Sequence, residues 1–221
     1  MAALEQVAAW LAQRLDEREP VVRRPGGADI RALVLALEPD DLPGELNADA
    51  IFLHRSFRLA DDGAGRAVLA SHDGFDRTLT TGENRTLAAR MGWSVRQTLT
   101  WQGQPVGLLA DLEPTSWAGL VRRLDHEYGG HDRILTSRTE PVSRLALVNA
   151  MRPELLEWVT DLGASVYLTG QLRPGAVRTA EQLGLGVVAL GHRRSEQWGL
   201  HQLARELRVA FPDLQVRVMP D

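Results

Sequence analysis

The sequence predicts an α/β fold whose C-terminal half is a mainly parallel sheet. Three observations carry that expectation. After Pro141, short apolar runs alternate with amphipathic stretches of helical length, the rhythm of βαβ units. The composition, 44% hydrophobic and 24% charged, is that of an ordinary globular protein rather than a disordered or fibrous one. The length, 221 residues, is enough for one large domain or two small α/β lobes with a proper core.

Taken in order, residues 2–18 set Leu4, Val7, Ala8, Leu11 and Leu15 on one stripe and read as an amphipathic helix. Pro20, Pro25, Gly26 and Gly27 break it. Ile30–Leu37 is a short apolar run bounded by turn signals, hence a buried strand. Ala50–Leu53 is a second strand ending at His54, and Val68–Ala70 a third running into His72. A helix begins near Asn84 and stops near Gly92. Residues 94–113 alternate and contain Gly103, Pro105 and Gly107, which suggests an antiparallel hairpin. Ser116–Tyr128 is helical, with Trp117, Leu120, Val121 and Leu124 on one side, and Gly129–Gly130 ends it. Then come strand 143–149, helix 153–163, strand 165–170, helix 175–184, strand 186–191 and helix 195–211. A boundary between two lobes falls somewhere in 90–140.

Composition excludes several chemistries. Cys is absent, which removes disulfides, thiolate nucleophiles and Cys-ligated metal. Lys is absent as well, so all 25 cationic side chains are Arg, and Schiff-base enzymes and P-loops are excluded. A net charge of −4 argues against a nucleic-acid binder that works through a general basic field. No stretch approaches the roughly 20 apolar residues that span a bilayer. The acidic residues from Glu5 onward are unlike a signal peptide, so the expected location is cytoplasmic. Carboxylates, six His, hydroxyls and a metal remain for chemistry.

The most informative segment is Gly191–Glu196, directly after the apolar run Gly186–Leu190. Loops at the carboxyl ends of parallel strands are where α/β sheets place their sites. His192 and Glu196 are four apart, so one helical turn aims both at one point, with Ser195 in the N-cap region. An imidazole with a carboxylate suits zinc, manganese, iron or nickel better than calcium. His72 and Asp76 repeat the spacing, and His54 ends another strand. Taken singly, His54 and His72 read as ordinary polar loop residues; together, three His-bearing strand ends are harder to dismiss. Trp10, Trp117 and Trp158 fall on helices and read as core or interface. His126 and His131 are expected to be exposed, and His201 to pack among Leu200, Leu203 and Leu207.

The closing stretch SVYLTGQLRPGAVRTAEQLGLGVVALGHRRSEQWGLHQLARELR closely resembles the closing motif of the Nif-three-like family (GTP cyclohydrolase type 2-like), with its Gly-His-x-x-Ser/Thr-Glu turn. The segment SHDGFDRTLTTGENRTLAARMG is similar to the family's His-x-x-x-Asp motif with its following Gly-x-Asn and helix. ADAIFLHRSFRL is similar to the strand that ends in paired His, and LALVNAMRPELLEWVTDLGA to the strand and helix that open the second half. The resemblance covers roughly 30–90 and 141–210. It implies two related α/β lobes, about 1–110 and about 111–221, assembled into a homo-oligomeric ring, commonly a hexamer. It also implies a dinuclear divalent-metal site between the lobes. His54, Asp76, His192 and Glu196 match the ligand positions. His72 matches the first residue of the His-x-x-x-Asp motif and, with Glu196, is the expected acid–base pair. Glu38 stands where many members carry an Asp.

The departures shape the expected function. The paired His has become His54-Arg55, and a guanidinium cannot ligate a metal and opposes a second cation. Gln171 stands where the family has an acid, Arg173-Pro174 where many members carry His, and 149–153 where a glycine-rich turn is usual. The expectation is therefore a protein binding one or two divalent ions, in the form of a hydrolase acting on a nucleotide-like or phosphorylated small molecule. Arg55, Arg173, Arg193 and Arg194 are the candidates to hold its anionic group. The alternatives are a metal-binding or regulatory protein without turnover, or a scaffold whose site has decayed.

Overall fold

The computed structural model describes residues 1–57, 59–60 and 65–220. The chain divides into two compact units, Met1–Phe75 with Gln197–Asp221, and Asp76–Glu196. The first compact unit is thus made from both ends of the chain.

The first unit opens with a short strand, β1 (Ala2–Ala3), and helix α1 (Leu4–Arg14). The expected stripe is buried, with Val7, Leu11 and Leu15 at 0% exposure. The helix stops short of residue 18 because Leu15 leaves helical geometry and Asp16 takes a positive φ of 49°. Then follow β2 (Val22–Arg24), β3 (Asp29–Ile30), β4 (Ala32–Ala36), β5 (Ala50–Leu53) and β6 (Ala67–Ala70). The single strand expected over Ile30–Leu37 is thus split, with β3 pairing β1 and β4 entering the main sheet. β4, β5 and β6 lie parallel in register, Val34 opposite Ile51 and Ile51 opposite Val68. The C-terminal strand Gln215–Val218 joins the free side of β4, again parallel, and β2 closes the other edge antiparallel to β6. Every residue of β5 and β6 is buried, as expected of parallel strands covered on both faces.

Helix α2 (Asp73–Leu79) follows β6 and runs into the second unit, whose next element is α3 (Arg85–Met91). The segment SHDGFD is therefore helical from Asp73 rather than a loop. Asn84 caps α3 by accepting from the Leu87 N–H at 2.8 Å and donates to Thr80 O at 2.9 Å. Gly92 ends α3 at φ 69°. The expected hairpin is β7 (Ser94–Trp101) and β8 (Gln104–Thr115), joined by Gln102 and Gly103, both at positive φ. Helix α4 (Trp117–Tyr128) starts at the Ser116 cap and is followed by β9 (Arg133–Leu135). The βαβ rhythm is present as read: β10 (Val142–Val148), α5 (Pro153–Asp161), β11 (Val166–Thr169), α6 (Pro174–Leu183), β12 (Gly186–Ala189), α7 (His192–Ala210).

The second sheet has the order β7-β8-β10-β11-β12-β9, with β10, β11 and β12 parallel and the flanking pairs antiparallel. Leu155, Leu156 and Val159 of α5 and Ala176 and Ala180 of α6 pack with Tyr167 and Val187 of the sheet in one apolar cluster. Each large side chain so buried contributes about 1.5–3 kcal/mol. Gly107 lets β8 approach β10, since a Cβ there would stand 2.0 Å from Leu147 O.

Candidate metal centre

His54 is delivered by β5. Its N–H donates to Ala36 O at 3.2 Å, continuing the parallel ladder one residue beyond the strand, and the side chain is buried. His54 Nδ1 lies 3.3 Å from Ser71 O, and Nε2 is shielded from solvent. His72 directly precedes α2. The start of that helix is anchored by Glu17, whose Oε1 accepts from Ser71 Oγ at 2.6 Å and from the Gly74 N–H at 2.9 Å. Ser71 Oγ accepts in turn from the Phe75 N–H at 3.2 Å. A carboxylate at that end of a helix also meets the positive pole of its dipole.

So held, the His72 ring stacks on that of His54, with centroids 4.7 Å apart and planes within 3°. The Phe75 ring lies 4.8 Å from His54 and backs it with apolar surface. Asp76 is one helical turn beyond His72, and one ligand atom from each of His54, His72 and Asp76 lies within 4.8 Å of the others. His72 Nδ1 stands 2.7 Å from Asp73 Oδ1, a carboxylate that can orient the ring and fix which nitrogen is offered. Two imidazoles and a carboxylate fit a divalent transition metal or zinc by their chemistry.

Asp76 also lines a recess of about 390 Å³ in the second unit, with Asn149, Arg152, Arg173, His192 and Glu196. The loops after β11 and β12 are tied together, Leu190 N–H to Thr169 O and Gly191 N–H to Gly170 O, each at 2.9 Å. Gly191 adopts φ 100°, and a Cβ on it would stand 2.7 Å from Asp132 Oδ1. That turn starts α7 at His192, so Ser195 sits within the first helical turn, donating to His192 O at 2.8 Å, rather than capping it. One turn brings His192 Nε2 to 3.1 Å from Glu196 Oε1, as the spacing implied; the Glu196 side chain is 2% exposed and that of His192 60%. Tyr167, buried in the sheet, donates its phenol proton to Ala150 O and so fixes the loop carrying Asn149 and Arg152. Burial holds that phenol well above its usual pKa range.

The residues picked from sequence thus fall into two sets. His54, His72 and Asp76 gather, and Asp76, His192 and Glu196 line one recess. Of the four arginines expected near an anionic group, Arg173 lines the recess. Arg55 is turned to Glu38, 2.8 Å away, Arg194 to Asp132 at 2.7 Å, and Arg193 is exposed. Arg152 was not among the candidates, although it follows the carboxyl end of β10, the position that singled out 191–196. His131 is half-buried and 2.5 Å from Asp125 Oδ1, whereas His126 is exposed as expected. His201 is exposed rather than packed, because it falls on the solvent side of α7 opposite Leu200, Leu203 and Leu207. No helix among the described residues is long and apolar enough to cross a membrane.

The sequence profile of the family described as Duf34/NIF3 (NGG1p interacting factor 3) matches residues 63–220. A relative from Pseudomonas aeruginosa, "GTP cyclohydrolase 1 type 2 homolog", is 27% identical over 151 residues, covering 66% of this chain and 58% of the relative. One of the same description from Archaeoglobus fulgidus is 25% identical over 143 residues, 64% of this chain and 57% of the relative. The chain therefore spans less than two thirds of the length of these curated relatives. A solved structure described as "protein ybgI, unknown function" superposes with a TM-score of 0.77 over 100% of this chain and 99% of its own, at 17% identity. Reduced HcgD from Methanocaldococcus jannaschii does so at 0.76 over 100% and 98%, at 16% identity. These likenesses carry the fold.

Proposed function

We propose that the chain, which belongs to the Duf34/NIF3 family, is a divalent-metal-binding protein and works as a metal-dependent hydrolase on a nucleotide-like or phosphorylated small molecule. The observation that carries the reading is the gathering of His54, His72 and Asp76 within 4.8 Å, two rings stacked and one carboxylate beside them. His192 and Glu196 are assigned as further ligands by their match to the family's closing motif. Zinc, manganese, iron and nickel are the candidate ions. A bound cation of this kind supplies a Lewis acid and a water that ionises near neutral pH.

The chain's own residues account for the rest. Glu196 is buried and hydrogen-bonded by His192, a position from which it can take a proton from water. His72, half-exposed and held through Nδ1 by Asp73, offers its remaining nitrogen beside His54 and Asp76 and is read as a ligand in place of the acid–base role expected of it. Arg152 and Arg173 have no carboxylate partner among the described residues and line the recess, which suits a phosphate or phosphate-like group. The name carried by the relatives makes a GTP cyclohydrolase type 2-like reaction one candidate within this class. By the same resemblance the working protein is a cytoplasmic homo-oligomer, a hexameric ring.

A second reading, metal binding without turnover, is favoured by the Arg55–Glu38 pair, which removes one family ligand position and satisfies its replacement internally. Elemental analysis of freshly purified protein, followed by assays of nucleotides and phosphoesters against a His192→Ala control, separates the two. Metal with turnover supports the hydrolase. Metal with turnover no higher than the control supports the second reading, and no metal after reconstitution removes both.

A further inference from the structure

We infer that the face of α4 carrying Arg122, Arg123 and His126 is a separate anion site that takes a phosphate group. These residues, with Arg90, Thr115 and Glu127, line a recess of about 490 Å³ that shares no lining residue with the recess holding His192 and Glu196. That volume lies within the roughly 300–1,000 Å³ of small-molecule sites.

Charge is what makes the recess unusual. Three guanidiniums stand against a single carboxylate, leaving two positive charges in one concavity of a chain whose net charge is −4. The carboxylate is already committed, since Arg90 Nε donates to Glu127 Oε1 at 2.7 Å. Arg123 donates to Met91 O at 2.6 Å, which pins its guanidinium against the C-terminus of α3 while using one arm of its fork. Neither Arg122 nor Arg123 has an ion-pair partner among the described residues. Adjacent guanidiniums repel unless an oxyanion bridges them, and their planar donors match phosphate oxygens in pairs. His126, one turn from Arg122 and Arg123 on the same face, adds a ring donor, and Thr115 a hydroxyl. Gly119, on this face too, contributes no side chain to fill the space.

The probes are inorganic phosphate and phenyl phosphate, titrated calorimetrically into the full chain at low ionic strength. The variants are Arg122→Gln with His126→Gln, and Arg152→Ala with Arg173→Ala in the other recess. Both of the first pair are exposed, and unchanged thermal unfolding checks that the fold is intact. Loss of the charge-assisted donors should weaken phosphate binding about tenfold or more in the α4 double variant. The Arg152/Arg173 variant should keep that binding event. Phenyl phosphate binding as well as phosphate assigns the site to phosphorylated ligands, and phosphate alone to the free ion. An α4 variant that binds phosphate as the parent does, or a parent that binds none, overturns the inference.

Discussion

Arg55 Nη1 stands 2.8 Å from Glu38 Oε1, with 16% of the one side chain and 35% of the other exposed. Arg55 follows His54 directly, and Glu38 follows the apolar run that contains β4. Two positions read from the sequence as departures from the resembled family pattern therefore satisfy each other. An Arg offers no atom that can ligate a metal, and here its guanidinium is turned to its own carboxylate, so a ligand position for a second cation near His54 is lost. Elemental analysis should find about one divalent ion per chain rather than the pair spaced about 3.5–4 Å apart in two-metal sites. Arg55→His, which restores an imidazole, should raise the stoichiometry.

Replacing a candidate ligand should release the metal. His54→Ala, His72→Ala and Asp76→Asn should each weaken binding by at least the ~10–100-fold that loss of an outer-shell partner costs. Calorimetry with zinc or manganese reads this without requiring activity. An Asp76→Asn protein that binds as tightly as the parent would sink the assignment.

Glu17 should matter to the metal although it is not a ligand. Its Oε1 holds both Ser71 and Gly74 at the start of α2. A Cβ on Gly74 would meet Leu15 O at 2.3 Å, so the helix has no room to move inward. Glu17→Ala removes two charge-assisted bonds and should lose about 2 kcal/mol of stability, measured by urea unfolding. Gly74→Ala should displace His72 and Asp76 and lower metal affinity; Gly74→Ala with unaltered affinity would show that the anchor does not position the ligands.

Asp49 gives a pH prediction. It accepts from the N–H groups of Arg31 and Ala32 at 2.7 and 3.0 Å, and these bonds hold its carboxyl below the usual range. A folded-state pKa below the unfolded one means stability that is full above the unfolded value and lost as pH falls through the folded one. Asp49→Ala should therefore cost about 1 kcal/mol near neutral pH, discounted for an exposed side chain. The gap between parent and variant in denaturant midpoint should close as the solution is acidified below pH ~4.

Arg152 and Arg173 test the substrate class. If they hold an anionic group without touching the reacting bond, Arg152→Ala or Arg173→Ala should raise KM about tenfold and leave kcat little changed. A fall in kcat at unchanged KM would move them into the chemical step.

Local signals in the sequence marked most of the elements. The stripe of α1, the Asn84 and Gly92 caps of α3, the Gly103 turn of the hairpin and the alternation after Pro141 each depend on residues near one another in the chain. Helix α2 escaped because its seven residues are too few for a periodic stripe and its anchor, Glu17, is distant in sequence. The strand Gln215–Val218 escaped for a similar reason: it is a strand by pairing with β4, across almost the whole chain.

For the site, sequence by itself determined the chemistry on offer. With no Cys and no Lys, it left imidazoles and carboxylates, and the spacing of four put His72 with Asp76 and His192 with Glu196. Only the tertiary structure decided which of them meet. It stacked His54 on His72, turned Arg55 to Glu38 and Arg194 to Asp132, and left Arg152 and Arg173 lining the recess. The physical reason is range: helical spacing acts over one turn, whereas the pairing of β4, β5 and β6 sets which strand ends come together.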